Sequence, residues 1–148
     1  MRANSRQFAT FVLDRYLFGV EVEEVQEIIL SQEVTPVPLA PPVIEGLINL
    51  RGQIFTAIDL RKRLELEERP SGLSPMNVIL RAERGSVSLL VDRIGDVITT
   101  SEDEFEPPPE TLRGAPRELI RGSYKLAKGL LLVLNLEQVL ALEKSGTM

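Results

Sequence analysis

The feature that most constrains the fold of this chain is a succession of about nine or ten short apolar segments, separated by glycine, proline and charged residues. The clearest of them span residues 7–13, 17–22, 47–50, 53–58, 78–82, 87–91, 94–99, 119–123 and 130–136. They are rich in valine, isoleucine, leucine and phenylalanine, which is typical of β-strands. No long helical pattern alternates with them, so a doubly wound α/β sheet is disfavoured. The pattern predicts an all-β barrel or sandwich with a few short helices.

Three stretches between these segments carry other signals. Over residues 22–29 the apolar positions fall on one face of a short helical turn, although Ile28 and Ile29 could equally begin a strand. Residues 35–42 contain four prolines and predict an extended connector. Residues 67–77, rich in Pro, Ser and Gly, predict a loop between the two halves of the chain.

The two halves also echo each other. Residues 57–64 resemble residues 133–140, and both read as a strand followed by a capping residue and a short helix, with Asp59 and Asn135 as the caps. The caps are 76 positions apart, about half of the chain. This suggests a repeat of two subdomains, although strand-to-capped-helix turns are common enough for the echo to be a coincidence. The whole chain is predicted to form one domain, with residues 1–6 and 143–148 frayed.

The residue types that are missing narrow the chemistry. The 148 residues include no cysteine and no histidine. Disulfides, thiolate metal sites, cysteine nucleophiles and a Ser-His-Asp triad are therefore excluded. We expect no catalytic residues, no metal site and no cofactor.

The charge and the hydropathy of the chain indicate which partners and which cellular location to expect. The net charge is −5, and the longest basic run covers only residues 61–63, so nucleic acid is not an expected partner. No apolar run approaches the ~18–20 residues that cross a bilayer, and no signal-peptide pattern follows the N-terminus. A soluble, intracellular protein without direct membrane insertion is expected.

Two clusters of carboxylates raise the alternative of a metal site or of an enzyme using acid–base chemistry. They consist of Glu21, Glu23, Glu24 and Glu27, and of Glu102, Asp103, Glu104 and Glu106. Neither has the spacing of an EF-hand loop, and the second runs into prolines 107–109. Solvated surfaces are the preferred interpretation.

One charged residue differs in setting. Arg51 is predicted at the tip of a hairpin between two apolar strands, where its planar guanidinium would be exposed and rigidly presented. Glu27, on the predicted helical turn, is a candidate partner. A partner-binding role competes here with an ordinary surface ion pair.

The chain resembles the CheW family of bacterial chemotaxis adaptors in a series of blocks that run in order from about residue 7 to residue 142. These are Phe11-Val12-Leu13, Phe18-Gly19-Val20, Val25-Gln26-Glu27-Ile28-Ile29, Thr35-Pro36-Val37-Pro38, Pro41-Pro42, Glu45-Gly46-Leu47-Ile48-Asn49-Leu50-Arg51-Gly52, Ile58-Asp59-Leu60-Arg61, Leu90-Val91-Asp92-Arg93-Ile94-Gly95-Asp96-Val97 and Leu132-Val133-Leu134-Asn135-Leu136. The ordered set, above all Asn-Leu-Arg-Gly followed by Ile-Asp-Leu-Arg, is specific although each block alone is weak.

The resemblance implies two small five-stranded, SH3-like barrels packed on a shared core, and a protein that is not an enzyme. It implies a cytoplasmic scaffold, mostly monomeric alone and recruited to membrane-associated chemoreceptor arrays. Its partners would be the regulatory domain of a histidine kinase and the cytoplasmic tip of methyl-accepting chemoreceptors. An adaptor of another receptor–kinase array, such as one for surface motility, and a domain cut from a larger protein remain alternatives.

The resemblance also assigns partner-binding positions. Val25, Glu27 and Arg51 match positions of partner contact, with a Glu27–Arg51 pair expected. The positions that line or border the receptor groove between the barrels are Val78, Ser88, Ile94 and Val97. Two departures bear on partner identity: the family often has glycine where this chain has Ser88, and the stretch before residue 130 is shorter than in some members.

Overall fold

The computed structural model describes residues 5–108 and 117–142, which form ten strands and two short α-helices. The strands are β1 (Ser5–Leu13), β2 (Tyr16–Glu21), β3 (Val25–Ile29), β4 (Ile44–Leu50), β5 (Gln53–Asp59), β6 (Met76–Leu80), β7 (Val87–Val91), β8 (Arg93–Ser101), β9 (Ile120–Leu126) and β10 (Gly129–Leu134). The helices are α1 (Leu60–Arg63) and α2 (Leu136–Val139). Positions 1–4 and 143–148, where frayed ends were expected, lie outside the described residues.

The strands form two five-stranded sheets. The first sheet has the order β8-β1-β2-β10-β9, and the second has the order β3-β6-β7-β5-β4. Neighbouring strands are antiparallel except for one parallel pair in each sheet, β2 with β10 and β5 with β7. The predicted all-β class, with two five-stranded units and few short helices, is confirmed.

The continuous apolar runs are explained by burial on both faces of a strand. In β10, Leu131 and Val133 pack in a cluster within the first sheet, whereas Leu132 and Leu134 pack between the two sheets. Because successive side chains point to opposite faces, a strand covered on both sides needs apolar residues at every position. The second sheet has its own inner cluster around Phe55.

The core between the sheets is the largest of the three clusters. Its buried residues come from both sheets and both helices, and include Phe11, Phe18, Ile58, Leu60, Leu80, Leu89, Leu132, Leu136 and Val139. Because side chains of both sheets pack in this cluster, it holds the two sheets together. Deleting one of its large side chains should cost roughly 2–5 kcal/mol of stability.

The strand–cap–helix echo is confirmed. The side-chain Oδ1 of Asp59 accepts a hydrogen bond from the amide of Lys62 at 3.3 Å, and that of Asn135 accepts one from the amide of Gln138 at 3.2 Å. The capping residue Asp59 ends β5 and the capping residue Asn135 follows β10, and each of these strands has a parallel neighbour. The two halves of the chain therefore build the same local unit.

The two halves exchange strands. The first sheet combines the hairpin β1–β2 with β8, β9 and β10, and the second combines the hairpin β6–β7 with β3, β4 and β5. Ala9 lies opposite Val97, and Val78 lies opposite Ile28. A shift of 69 positions relates Ala9 to Val78 and Ile28 to Val97, so the two pairings are equivalent. The loop between the halves of the chain is therefore not a boundary between the sheets.

The prediction of a helical turn over residues 22–29 is wrong for most of its length. Only Val22–Glu24 form a 3-10 turn, and β3 follows. The pairing of β3 with β6 shifts between Val25 and Glu27, which marks a β-bulge. A bulge adds one residue, so Val25 and Ile28 face the same side at a spacing that imitates a helix.

The expectation of a frayed start fails for Ser5 and Arg6. Both belong to β1 and pair with β8. The guanidinium of Arg6 also contacts the carboxylates of Glu21, at 3.0 Å, and of Glu102. These contacts tie the start of the described chain to the first sheet.

Candidate functional site

The expected Glu27–Arg51 ion pair is present at the surface of the second sheet. Nη2 of Arg51 donates to Oε1 of Glu27. Glu27 lies on β3, not on a helical turn as predicted, and Arg51 lies in the turn between β4 and β5. Since β3 and β4 are the two edge strands of this sheet, the pair connects opposite edges.

The exposure of the pair limits its structural value. The side chain of Arg51 is 65% exposed and that of Glu27 is 31% exposed. Exposed ion pairs contribute ~0–1 kcal/mol to stability. Both charges remain accessible to a partner.

The backbone of the turn holds Arg51 in place. The φ angles of Arg51 and Gly52 are +53° and +87°, as a tight two-residue hairpin turn of type I′ requires. The side chain of Asn49 accepts a hydrogen bond from the amide of Gly52 at 3.1 Å. A non-glycine residue in the left-handed region costs roughly 1–2 kcal/mol. The turn therefore fixes the backbone position of Arg51 at some cost in stability.

Val25 and Ile94 occupy equivalent positions on β3 and β8. Both are half-buried and pack against the shared core. On β3 a bulge separates Val25 from the more exposed Ile28, and on β8 a bulge separates Ile94 from the more exposed Val97.

Val78 and Ser88 lie inside the protein. Their side chains are 1% and 0% exposed, so neither offers a surface that a partner could touch. Val78 belongs to the shared core. The hydroxyl of Ser88 donates to Oδ1 of Asn77 at 2.8 Å. The structure thus separates these two positions from the exposed ones to which the resemblance joined them.

Val97 is the exposed member of the predicted groove set, at 59%. It lies opposite Ala9, which faces the shared core, so Val97 faces the same side at the open margin of that core. Ile28 has the equivalent placement opposite Val78, and sequence reasoning did not single it out. The repeat offset of 69 positions would have identified it.

Sequence reasoning also missed a buried ion pair. Arg61, the second residue of α1, places Nη2 at 2.5 Å from Oδ2 of Asp92, the single residue between β7 and β8. Nε of Arg61 lies 3.1 Å from Oδ1, and the amide of Asp14 donates to Oδ2 at 2.8 Å. Both residues stand in blocks of the family resemblance, but nothing in the sequence pairs them.

The electrostatics of this pair are those of a structural contact. Burial raises the pKa of Asp92, but hydrogen bonds from the Arg61 guanidinium and the Asp14 amide outweigh it, and the net pKa lies below the ordinary 3.8. The hydrogen bond to Asp92 raises the pKa of Arg61. Both groups are therefore charged at neutral pH.

The two carboxylate clusters are largely engaged in ion pairs. Glu21 and Glu102 share Arg6, and Glu24 pairs with Arg84. Within residues 5–108 and 117–142, no three acidic side chains are grouped so as to hold a metal ion. No helix in those ranges is long and apolar enough to cross a membrane.

Comparison with known proteins identifies the family. The family model of the CheW-like domain matches residues 7–144. The chain belongs to the CheW family. The chemotaxis protein CheW of Treponema pallidum is 35% identical over 145 residues, covering 94% of this chain and 85% of that protein. The CheW of Bacillus subtilis is 34% identical, covering 91% of this chain and 86% of that protein.

A solved structure supports the same assignment. The scaffolding protein TtCheW from Thermoanaerobacter tengcongensis matches with a TM-score of 0.79 at 28% identity, covering 88% of each chain. The predicted CheW-like fold is confirmed. Family membership places the chain among the scaffolding proteins of chemotaxis.

Proposed function

We propose that this chain is a non-enzymatic scaffold that couples chemoreceptors to a histidine kinase. It binds the regulatory domain of the kinase and the cytoplasmic tip of the receptor, acts in the cytoplasm at membrane-associated receptor arrays, and needs no cofactor. The observation that carries the proposal is the exposed Glu27–Arg51 pair, held by a tight turn on a CheW-family fold.

The kinase surface centres on that pair. Arginine is enriched among residues that dominate binding energies, because its planar fork donates several hydrogen bonds at once. A charge pair at an interface also fixes register and disfavours wrong partners. Val25 supports this surface from the core side.

The receptor surface centres on Val97. An exposed aliphatic residue at the margin of an apolar core suits the apolar face of a receptor helix. Ile94, on the same face of β8, packs against the shared core beside it. Val78 and Ser88 are buried in the second sheet and form no part of this surface.

Titration calorimetry against the regulatory domain of the organism's own chemotaxis kinase tests the kinase surface. We expect micromolar binding, about −8 kcal/mol, and a roughly thirtyfold loss with Arg51→Glu. Arg15→Glu is the matched control, because Arg15 is an exposed arginine in the β1–β2 turn of the first sheet. Equal binding by wild type and Arg51→Glu would contradict the assignment. No binding by the folded wild type would favour an adaptor of another array.

A charge swap separates partner contact from structural support. The double variant Glu27→Arg with Arg51→Glu restores the internal attraction with the charges reversed. If the kinase domain contacts these charges, the double variant should bind it as weakly as Arg51→Glu does. Recovery of binding would mean that the pair only stabilises the two edge strands.

A second titration, with a receptor cytoplasmic fragment, tests the other surface. Val97→Asp should lower its affinity about tenfold and leave kinase binding unchanged. Leu73→Asp, an exposed leucine in the loop between the halves, is the control. An unchanged receptor affinity for Val97→Asp would refute this placement.

A further inference from the structure

A chain of polar contacts runs through the interior of the second sheet. The Ser88 hydroxyl on β7 donates to Oδ1 of Asn77 on β6, and Nδ2 of Asn77 donates to the backbone carbonyl of Leu30 at 3.0 Å. Ser88 and Asn77 are 0% and 1% exposed. Leu30 is the residue that follows β3 directly. We call these three groups the buried relay.

The first sheet does without such a relay. At the same offset of 69 positions it has Phe8 in place of Asn77 and Gly19 in place of Ser88. Phe8 packs against the ring of Tyr124, with centroids 5.5 Å apart. A Cβ on Gly19 would lie 3.0 Å from a methyl carbon of Leu131. The same fold thus fills this place with an aromatic ring in one sheet and with two polar side chains in the other.

This contrast indicates that Asn77 and Ser88 do more than fill space in the interior of the sheet. Burying polar groups is unfavourable unless they are hydrogen-bonded, and an apolar solution is present in the same molecule. What the relay adds is its last contact, which reaches out of the sheet interior to the chain leaving β3. The Leu30 carbonyl also accepts from the side chain of Gln32 at 3.1 Å, so donors on two sides hold it.

The residues beside this carbonyl belong to the candidate kinase surface. Glu27 lies three positions before Leu30, and the Leu30 side chain is 71% exposed. β3 is an edge strand that pairs with β6 on one side, so its other side has no strand neighbour in the sheet.

We propose that Ser88 and Asn77 are positioning residues, which act through the Leu30 carbonyl to hold the end of β3 and, with it, the kinase surface at Glu27. The inference rests on the proposed function for its binding consequence. It assigns Ser88 to the kinase side, whereas the family resemblance placed that position beside the receptor groove.

Hydrogen–deuterium exchange of the free protein tests the positioning directly. The double variant Asn77→Phe with Ser88→Gly copies the Phe8 and Gly19 pair of the first sheet. Loss of one hydrogen bond should speed amide exchange over β3 about fivefold. The equivalent strand β8 should be unchanged and serves as the internal control. If the double variant fails to fold, Ser88→Ala gives the same test with a smaller expected change.

Binding then tests the consequence. The double variant should bind the kinase regulatory domain about fivefold more weakly and the receptor fragment unchanged. Exchange that is unaltered over β3, or that rises equally over β3 and β8, overturns the proposal. So does a loss of receptor binding alone, which would return Ser88 to the receptor side. A wild type that binds no kinase domain refutes the proposed function, while the exchange result still decides the positioning role.

Discussion

Replacing Asp92 with asparagine removes one charge from the ion pair with Arg61, at the single residue that joins β7 of the second sheet to β8 of the first. Both side chains are only 6% exposed, so solvent cannot replace the lost partner. Breaking a buried pair on one side costs about 3–5 kcal/mol. Asparagine keeps one oxygen that can accept a hydrogen bond from the Asp14 amide. We therefore expect the free energy of unfolding to fall by about 3 kcal/mol, the lower end of that range.

Thermal and urea unfolding measure this loss. For a domain of this size, 1 kcal/mol shifts Tm by ~2–4 °C, so Asp92→Asn should melt about 6–12 °C below the wild type. Glu27→Gln is the control, because that pair is exposed and should cost under ~1 kcal/mol. Combining Arg61→Leu with Asp92→Leu should cost less than the sum of the two single changes, since no buried charge is then left unpaired.

The pH dependence gives a second readout. The pKa of Asp92 is lowered in the folded state, so its contribution to stability is complete above the ordinary value of 3.8 and is lost as the pH falls through the lower folded value. The gap between wild type and Asp92→Asn should therefore be constant near neutral pH and close below about pH 4. A variant within about 1 kcal/mol of the wild type, or a gap that persists in strong acid, would refute the reasoning.

Two backbone positions give further predictions. Gly46→Ala should destabilise the protein by about 3 kcal/mol, because at φ +153° a Cβ would lie 2.3 Å from the carbonyl oxygen of Thr35. Gly85→Ala, at φ +89° with no atom within 4 Å of the new Cβ, should cost only about 1 kcal/mol, and equal urea midpoints for the two variants would contradict this. Leu39→Gly should raise the free energy of unfolding by about 1 kcal/mol, and the urea midpoint with it, because Leu39 is fully exposed at φ +67°. A lowered midpoint would show that its side chain is needed in the free protein.

The hairpins and the capped helices were predictable because their signals are local. Arg51 and Gly52 stand between two apolar runs, and Asp59 and Asn135 each come directly after an apolar run. Turn and cap chemistry depends on residues a few positions apart, which a sequence shows without knowledge of the fold.

The misassigned helix over residues 22–29 has a physical cause. A bulge in β3 restores Val25 and Ile28 to one face at a spacing of three, which on a regular strand would point them to opposite faces. The equivalent pairing shift in β8 puts Ile94 and Val97 on one face in the same way. Apolar spacing alone does not distinguish a bulged strand from a helical turn.

The long-range contacts were out of reach of local signals. Arg61 and Asp92 are 31 positions apart, and only the strand order brings α1 to the junction of β7 and β8. Likewise, the burial of Val78 and Ser88 depends on which sheet faces cover each other. The family resemblance supplied the positions of interest but not which of them reach the surface.

If the chain binds both proposed partners, the strand exchange explains how one small domain holds them in a fixed relation. Glu27 lies on β3, which belongs to the first half of the chain but pairs in the sheet that contains the β6–β7 hairpin of the second half. Val97 lies on β8, which belongs to the second half but pairs in the sheet that contains the β1–β2 hairpin of the first half. Neither strand can move with its own half alone, because each is paired to the other half and packed on the shared core. The buried Asp92 contact fixes one of the two crossings between the sheets. This rigidity suits the proposed coupling of a kinase to a receptor, in which repeated weak contacts gain strength from multivalency.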